Sequence, residues 1–320
     1  MCGIVGYVGN GNAKEIIIDG LKKLEYRGYD SAGIAIQQNG KLTVRKQVGG
    51  IENLEELISG EDLTSNCGIG HTRWATHGAP STLNAHPHAS EKGDIAVVHN
   101  GIIENYVELK QWLIDEYKVQ FKSETDTEVI AQLIGVLYEG DLLDAVYKAV
   151  EKMRGAYAIC AVASDDPNRL VAVRKDAPLI AGLGRGQNFI ASDIPALLKY
   201  VKQIYLIENN ETVVVTPSKV TILDQNRKPV KRDVFNVTWD ADSAEKEGFA
   251  HFMLKEIYDQ PKALEDTLLR RLNDDGTIKL DDISMTKEEI EEAYKQLNLG
   301  SESHSYHLID SNIIETEFNA

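Results

Sequence analysis

A cysteine stands at the second position of the chain, in the opening stretch MCGIVGYVG. Removal of Met1 would leave a thiol and a free α-amine on one residue. An α-amine titrates near pH ~7.7–8.0 and a thiol near pH ~8.5, so the amine can take the thiol proton at neutral pH, directly or through a water. Cys2 is therefore a candidate nucleophile that carries its own base. The alternative is a small buried residue at the start of a strand.

A second group of reactive side chains follows a predicted strand, at residues 68–78 (GIGHTRWATHG). Arg73 has the planar guanidinium that pairs with a carboxylate through two hydrogen bonds. The histidines here and at residues 84–88 (NAHPH) raise the question of a metal site. The helical His pair with an intervening Glu is missing, however, and Pro87 prevents an ordinary helix, so we predict no metal.

The third candidate group is His-Asn-Gly at residues 99–101, where the strand predicted at 94–99 ends. A glycine at this point lets backbone N–H groups approach a ligand closely. Together with the amide of Asn100, Gly101 could form an oxyanion hole. A plain turn from a strand to a helix takes Asn-Gly equally well, and the residues alone leave both readings open.

Two polar segments precede other predicted elements. Residues 25–33 (EYRGYDSAG) lead into a strand at 34–36, and Arg27 there is either a site residue or a structural ion-pair partner. Residues 123–128 (SETDTE) precede a helix with an apolar face. A Ser, Thr or Asp in this place would by default cap the helix N-terminus.

The elements that must position these groups follow from the hydrophobic pattern. Short strands are predicted at residues 4–8 and in six runs between 157 and 223, while helices are concentrated in two blocks. The glycine-rich stretch at 182–186 precedes a strand, which argues against a dinucleotide-binding fingerprint. This pattern favours an α+β fold of sheets covered by helices over a doubly wound parallel sheet. Residues 251–261 read as a helix that ends at Pro261.

Composition excludes several classes of function. The chain of 320 residues has 34 Lys and Arg against 50 Asp and Glu, so we expect no general binding to nucleic acid or to anionic membranes. Cys2, Cys67 and Cys160 lie far apart and form neither a disulfide framework nor a zinc pattern. The opening lacks the features of a signal peptide, and no apolar run approaches the ~20 residues of a membrane span. We therefore predict a cytoplasmic protein.

Several of these segments together resemble glutamine:fructose-6-phosphate amidotransferases, which are class II glutamine amidotransferases with an N-terminal nucleophile. The segments that carry the resemblance are residues 2–6, 24–33, 70–78, 98–106, 123–128 and 251–261. The resemblance extends from residue 2 to about residue 270. Residues 26–33 and 251–261 count against two other class II enzymes, the purine-pathway phosphoribosyl amidotransferase and asparagine synthetase.

The resemblance implies that the chain hydrolyses the side-chain amide of glutamine. Cys2 would attack the amide with its own α-amine as the general base, and would form a thioester that water converts to glutamate. Asn100, through its side chain, and Gly101, through its N–H, would hold the oxyanion. Trp74 resembles the residue that gates the ammonia channel in the complete enzyme.

The resemblance also implies how the substrate is held. Arg73 would pair with the α-carboxylate of glutamine, and Thr76 and His77 would complete the part of the binding site around that carboxylate. Asp126 would take the α-ammonium group, so that capping of the helix becomes secondary. Arg27 would lie near the nucleophile. No metal and no organic cofactor is implied for this step.

The fold implied by the resemblance is a four-layer αββα sandwich of the N-terminal-nucleophile hydrolase type, followed by a mostly helical C-terminal linker. Residues 1–240 would form the glutaminase domain, and residues 241–320 the linker or the truncated start of the sugar isomerase region. Fructose 6-phosphate would be used only through the isomerase domains, which the chain is expected to lack. Assembly into a homo-oligomer is left open. The alternative function is a non-catalytic fragment that binds glutamine or partner subunits.

Overall fold

The computed structural model describes residues 2–75, 78–238, 249, 252–269 and 271. The chain divides into two compact units, residues 1–245 and residues 246–320. The predicted domain boundary at residue 240 lies outside the described residues, as does most of the predicted linker. The first unit contains all the described strands, and the second contributes one described helix.

The strands of the first unit are β1 Gly3–Gly9, β2 Ser31–Gln38, β3 Lys41–Val48, β4 Cys67–Arg73, β5 His88–Ala89, β6 Ile95–Ile103, β7 Gly155–Ala163, β8 Leu170–Lys175, β9 Ile180–Leu183, β10 Gln187–Ala191, β11 Gln203–Leu206, β12 Glu211–Val215, β13 Val220–Leu223, β14 Pro229–Val230 and β15 Phe235–Asn236. The helices are α1 Ala13–Lys23, α2 Ile51–Leu57, α3 Tyr106–Tyr117, α4 Asp126–Leu137, α5 Leu142–Val150 and, in the second unit, α6 Phe252–Leu269. Short 3₁₀ turns lie at Glu25–Arg27 and Ile194–Ala196.

The strands form two sheets in which all neighbouring strands are antiparallel. The first sheet has the order β15-β11-β9-β10-β1-β4-β2-β3, and the second has the order β14-β13-β12-β8-β7-β6-β5. β1 is therefore a central strand of the first sheet, between β10 and β4. β6 lies near one edge of the second sheet and pairs with β7 over nine residues.

Three apolar clusters separate the layers. One lies between the first sheet and α1 and α2, and another packs α3, α4 and α5 on the second sheet. The third joins the inner faces of the two sheets. Every residue of β1 is buried, because both faces of the first sheet are covered. At Gly6 an added Cβ would lie 3.2 Å from the Cys160 sulfur of the facing sheet, so the sheets approach closely there. These layers confirm the predicted αββα sandwich.

Two predicted boundaries are wrong. β6 does not end at His99 but continues to Ile103, with Asn100 opposite Ala158 and Gly101 opposite Tyr157 in the ladder. The strand continues because Gly101, without a side chain, can adopt φ of +124° and still pair with Tyr157 of β7. A turn from strand to helix at this point is therefore the wrong reading.

The second correction concerns Pro261. Helix α6 continues through this residue to Leu269. Proline costs about 3 kcal/mol inside a helix, but strong helix formers such as Lys255, Ala263 and Leu264 stand on both sides of it. In the described part of the chain, no helix is both long enough and apolar enough to cross a bilayer.

Candidate active site

Cys2 immediately precedes β1 and lies beside the end of β4. The ladder pairs Gly3 with Thr72, which brings the residue before β1 next to the residues that follow Thr72. The N–H of Trp74 donates to the Cys2 sulfur at 3.2 Å, and the thiol lies 3.5 Å from the carbonyl oxygen of Trp74. The backbone of one residue therefore contacts a half-buried sulfur with both of its polar groups.

The surroundings of the Cys2 thiol favour its neutral form. Burial raises the pKa of this thiol, and the hydrogen bond from Trp74 lowers it by less. A thiol in this place needs a base before it can act as a nucleophile at neutral pH. The other two cysteines are fully buried, and burial raises the pKa of Cys67 to about 12.

The side chain of Asn100 reaches from β6 to the nucleophile. Its Nδ2 donates to the carbonyl oxygen of Cys2 at 2.9 Å. Gly101 follows with φ of +124°, and a Cβ built there would lie 2.0 Å from the carbonyl oxygen of Ala156. Only glycine fits this backbone, and the residue is exposed to solvent. The two predicted oxyanion donors thus lie at the end of the second sheet that meets Cys2.

Arg73 is buried at the end of β4, and its guanidinium organises the surrounding loops. It donates to the carbonyl oxygen of Gly78 at 3.0 Å and lies 3.9 Å from a carboxylate oxygen of Asp30. The same carboxylate accepts a hydrogen bond from the N–H of Ala75. An added Cβ at Gly28 would lie 2.7 Å from the carbonyl carbon of Arg73, so the two loops are packed backbone to backbone.

Asp126 is the first residue of α4 and is buried. Its carboxylate accepts a hydrogen bond from the N–H of Ile103 at 2.9 Å, which ties the helix to the end of β6. The N-cap is instead Thr125, whose hydroxyl accepts from the N–H of Glu128 at 3.3 Å. The capping role that the sequence left open therefore belongs to the neighbouring threonine.

Arg27 forms a buried ion pair. Its guanidinium donates to the carboxylate of Asp193 at 2.6 Å, and the hydroxyl of Tyr26 donates to the same oxygen at 2.6 Å. The preceding residue, Ser192, accepts from the N–H of Ile4 at 2.9 Å through its hydroxyl. Of the two readings of Arg27, the geometry favours the structural ion pair, which lies beside the start of β1.

Two exposed aromatic rings, those of Trp74 and Tyr29, lie in the loops next to Cys2 and Arg73. Trp74 is 47% exposed and Tyr29 is 59% exposed, and their rings meet edge to face with centroids 5.6 Å apart. The predicted gate residue is thus held by a neighbour from the loop at residues 25–33. Thr76 and His77, which were predicted to bind substrate, lie outside the described residues.

The sequence reading missed a buried histidine cluster behind Asn100. The Nε2 atom of His71 lies 3.0 Å from the Oδ1 atom of Asn100, and the ring of His86 stacks on His71 with centroids 4.1 Å apart. His88 meets His86 edge to face, with centroids 5.2 Å apart, and bonds to Thr125. Burial lowers the pKa of all three imidazoles, that of His71 to about 3.

Within the described ranges, no three His, Cys, Asp or Glu side chains are grouped so that they could hold a metal ion. The spacing of these histidines in the sequence raised the question of a metal. Spacing alone could not answer it, because it does not show which side chains face one another. His71 lies in β4 of the first sheet and His88 in β5 of the second, so their contact depends on how the two sheets face each other, which the sequence pattern does not show.

A comparison with protein families matches residues 71–199 to a model described as a glutamine amidotransferase domain. This range contains Arg73, Asn100, Gly101 and Asp126 and begins within β4, so Cys2 lies outside it.

Three curated relatives are each named glutamine–fructose-6-phosphate aminotransferase (isomerizing). The protein of Clostridium perfringens is 54% identical over 288 residues, which are 90% of this chain and 47% of the relative. That of Aquifex aeolicus is 55% identical over 278 residues, 87% of this chain and 47% of the relative. That of a Thermus thermophilus strain is 51% identical over 281 residues, 88% of this chain and 46% of the relative. The chain spans about half the length of these relatives.

Two solved structures share the fold at lower sequence identity. The glutamine phosphoribosylpyrophosphate amidotransferase of Bacillus subtilis, complexed with ADP and GMP, gives a TM-score of 0.61 at 26% identity, over 70% of this chain and 49% of that one. A structure described as the allosteric regulatory enzyme of purine biosynthesis gives 0.62 at 26% identity, with the same coverage. Identity to the fructose-6-phosphate enzymes is about twice as high, which agrees with the sequence reading.

Proposed function

We propose that this chain, whose residues 71–199 match a model described as a glutamine amidotransferase domain, hydrolyses the side-chain amide of glutamine to glutamate and ammonia with Cys2 as the nucleophile. One observation carries the proposal. The thiol of Cys2 lies beside the start of β1 and the end of β4, with the Trp74 backbone against its sulfur, and the side-chain amide of Asn100, within β6, lies 2.9 Å from the carbonyl oxygen of Cys2. A nucleophile from the first sheet and an amide donor from the second therefore meet at this point.

The first chemical step needs a free α-amine on Cys2, which removal of Met1 would supply. The amine takes the thiol proton as the sulfur attacks the amide carbon of glutamine. The carbonyl π electrons move to oxygen, and the second Nδ2 hydrogen of Asn100 and the N–H of Gly101 stabilise the negative charge. Because burial raises the pKa of this thiol, the amine is required as a base.

The second step releases ammonia. The C–N bond breaks as the oxyanion collapses, and the protonated α-amine gives its proton to the leaving nitrogen. The product bound to the enzyme is a thioester between Cys2 and the γ-carbonyl. The amine then takes a proton from water, which attacks the thioester. Glutamate leaves and the thiol is restored, so no other reactant is consumed.

Substrate recognition would use two opposite charges, one at the end of β4 in the first sheet and one at the start of α4, which packs on the second sheet. We assign Arg73 to the α-carboxylate of glutamine and Asp126 to its α-ammonium, with Thr76 and His77 beside the carboxylate. Arg73 and Asp126 are each less than 5% exposed, so an ion pair with the substrate would be shielded from water. We assign Arg27 to positioning the start of β1. Trp74 would cover the thiol and gate the release of ammonia.

We extend the proposal to the division of the chain into domains and to the use of the ammonia in a complete enzyme. Residues 1–240 would form the glutaminase domain, and residues 241–320 a mostly helical linker to a sugar isomerase region. In a complete enzyme the ammonia would be transferred to fructose 6-phosphate. We place the reaction in the cytoplasm, with no metal or organic cofactor in the glutaminase step.

The decisive experiment measures glutamate released from glutamine by the purified 320-residue chain, with Cys2→Ala and Cys67→Ala as a matched pair. We expect release by the parent and by Cys67→Ala, since that thiol is buried away from the site, and none by Cys2→Ala. Intact mass of the parent reports whether Met1 is removed. A processed chain that releases no glutamate would contradict the proposal and favour the alternative of a non-catalytic fragment that binds glutamine or a partner. Addition of fructose 6-phosphate should yield ammonia without amino sugar.

A further inference from the structure

The imidazole of His71 joins the two sheets directly behind the nucleophile. His71 is fully buried in β4, and its Nε2 atom lies 3.1 Å from the carbonyl oxygen of His99 and 3.0 Å from the Oδ1 atom of Asn100. A backbone carbonyl only accepts hydrogen bonds, so Nε2 must carry the hydrogen. The ring therefore donates from the first sheet to two oxygens of the second.

This tautomer also fixes the orientation of the Asn100 amide. An asparagine side chain can present either its oxygen or its nitrogen in one direction, and the two choices differ by a half turn. The Nε2–H of His71 requires an oxygen on its side. On the opposite side the carbonyl oxygen of Cys2 requires a donor, and Nδ2 lies 2.9 Å from it. Both contacts select the same orientation.

Burial keeps the His71 ring in the neutral form. The pKa of His71 is lowered to about 3, mainly by loss of water, so one N–H is present throughout the neutral range. The other ring nitrogen, Nδ1, has no hydrogen-bond partner among the described residues. The hydrogen at Nε2 is therefore the one the surroundings select, because a proton on Nδ1 would be buried without an acceptor.

We propose that His71 is a positioning residue for the oxyanion site: its Nε2–H holds the Oδ1 atom of Asn100 so that Nδ2 faces the reacting carbonyl. The inference deepens the proposed glutaminase function and rests on it. If the amide turned over, its oxygen would face the developing negative charge and repel it. Asn100 touches the reacting atoms, while His71 acts only through Asn100.

Packing offers a different account, since His71 also stacks on His86 with ring centroids 4.1 Å apart. Under that account any side chain of similar volume at either position would serve equally well. Of these two described histidines, His71 forms a hydrogen bond with Asn100 and His86 does not. The two histidines therefore form a matched pair that separates packing from orientation of the amide.

The test compares His71→Gln, His71→Met and His86→Phe in steady-state glutamine hydrolysis by the full chain. Gln places an amide N–H near the position of Nε2, and Met fills the space without a donor. We expect His71→Met to lower kcat by about 10- to 100-fold, with KM within about twofold, because loss of an oxyanion donor costs about 10²–10³ in kcat. His71→Gln should recover most of kcat, and His86→Phe should remain within about threefold of the parent.

A double-mutant cycle with Asn100→Ala asks whether His71 acts through Asn100. In the Asn100→Ala background, His71→Met should have almost no further effect on kcat, since there is no amide left to orient. Equal losses in the two backgrounds would overturn the proposal. A similar kcat for His71→Gln and His71→Met would also overturn it.

Nuclear magnetic resonance provides a readout that does not depend on turnover. Long-range ¹H–¹⁵N spectra of the parent should show His71 as the neutral Nε2–H tautomer from pH 5 to pH 8. The Asn100 side-chain amide signals, identified by their loss in Asn100→Ala, should shift in His71→Met and less in His71→Gln. An Nδ1–H tautomer or an unmoved Asn100 amide would overturn the inference even in an active enzyme. The expected spectra without glutamate release would instead count against the proposed function alone.

Discussion

The guanidinium of Arg27 donates to the carboxylate of Asp193 at 2.6 Å, and this pair connects two turns on either side of the nucleophile strand. Arg27 belongs to the 3₁₀ turn at Glu25–Arg27, whereas Asp193 caps the turn at Ile194–Ala196 by accepting from the N–H of Ile194. The side chain of Arg27 is 7% exposed and that of Asp193 is 32% exposed. The pair holds the chain beside the start of β1, where Cys2 must be placed.

We expect Arg27→Ala to lower the free energy of unfolding by about 1.5–3 kcal/mol, because it removes a hydrogen bond between charged groups and leaves Asp193 partly buried. The matched control is Arg45→Ala, which breaks the more exposed ion pair with Glu61 and should cost at most about 1 kcal/mol. Urea unfolding followed by circular dichroism measures both. Unchanged stability of Arg27→Ala with a tenfold higher KM for glutamine would instead indicate direct contact with substrate.

Gly101 permits a second prediction, on backbone geometry. Gly101→Ala should abolish glutamate release and destabilise the fold by at least about 2 kcal/mol, because φ of +124° excludes a side chain and the new Cβ would lie 2.0 Å from the carbonyl oxygen of Ala156. Gly93→Ala is the control. Its φ is +72° and no atom lies within 4 Å of the added Cβ, so the cost should be about 1 kcal/mol with activity kept. Equal behaviour of the two variants would contradict the argument.

The strands that carry the site could be predicted from short apolar and glycine runs: β1 reads GIVGYVG, and β4 begins CGIG. β1 and β4 lie in the middle of a sheet covered on both faces, so their buried residues run without a break. β3 was not predicted, because it is an edge strand whose residues are half-exposed and whose sequence, KLTVRKQV, is rich in charge. A partly exposed edge does not need the apolar pattern that marks a central strand.

Candidate site residues could be named from the sequence only where the type of a single residue suffices for a chemical role. A nucleophile, an amide donor and a guanidinium can each be recognised singly, which led to Cys2, Asn100 and Arg73. The Asp193 partner of Arg27 and the His71 partner of Asn100 are separated in the chain by 166 and 29 positions from the residues they serve. Such pairs depend on which strands are neighbours and which faces meet. The order of strands in a sheet is set by long-range packing and not by local pattern.

Asn84 gives a third prediction, on the two loops that would bind glutamine. Its Nδ2 donates to the carbonyl oxygen of Ala79 at 3.0 Å, and its Oδ1 accepts from the N–H of Glu124 at 3.0 Å. We expect Asn84→Ala to raise KM for glutamine about tenfold, since two hydrogen bonds of about 1 kcal/mol each hold these loops together.

The control for Asn84 is its neighbour Leu83, which is 60% exposed; Leu83→Ala should leave KM within about twofold. The rate at which iodoacetamide alkylates Cys2 should be the same in both variants and the parent, since neither residue touches the sulfur. Slower alkylation in Asn84→Ala would show that the change reaches the nucleophile, and would contradict a role limited to substrate binding.

The histidine cluster gives a prediction on pH and stability. In the folded chain burial lowers the pKa of His71 to about 3 and holds those of His86 and His88 well below 6.5, so the folded state resists protonation of all three rings. In the unfolded chain each takes a proton below about pH 6.5. The unfolded state therefore binds more protons, and the free energy of unfolding must fall as pH drops below 6.5. With its folded-state pKa of about 3, His71 should contribute about 2 kcal/mol of that loss between pH 7 and pH 5, and His86 and His88 should add to it in the same direction.

His86→Phe isolates this contribution from that of the carboxylates, which titrate in the same chain. Phenylalanine keeps an aromatic ring against His71 but takes up no proton in either state. Urea unfolding at pH 5, 6, 7 and 8 should therefore show a smaller loss of stability between pH 7 and pH 5 in His86→Phe than in the parent. The variant should also gain stability relative to the parent as pH falls, whatever its difference at pH 8. Parallel curves for the two proteins would mean that His86 is protonated in the folded state, which contradicts its buried, neutral place in the cluster.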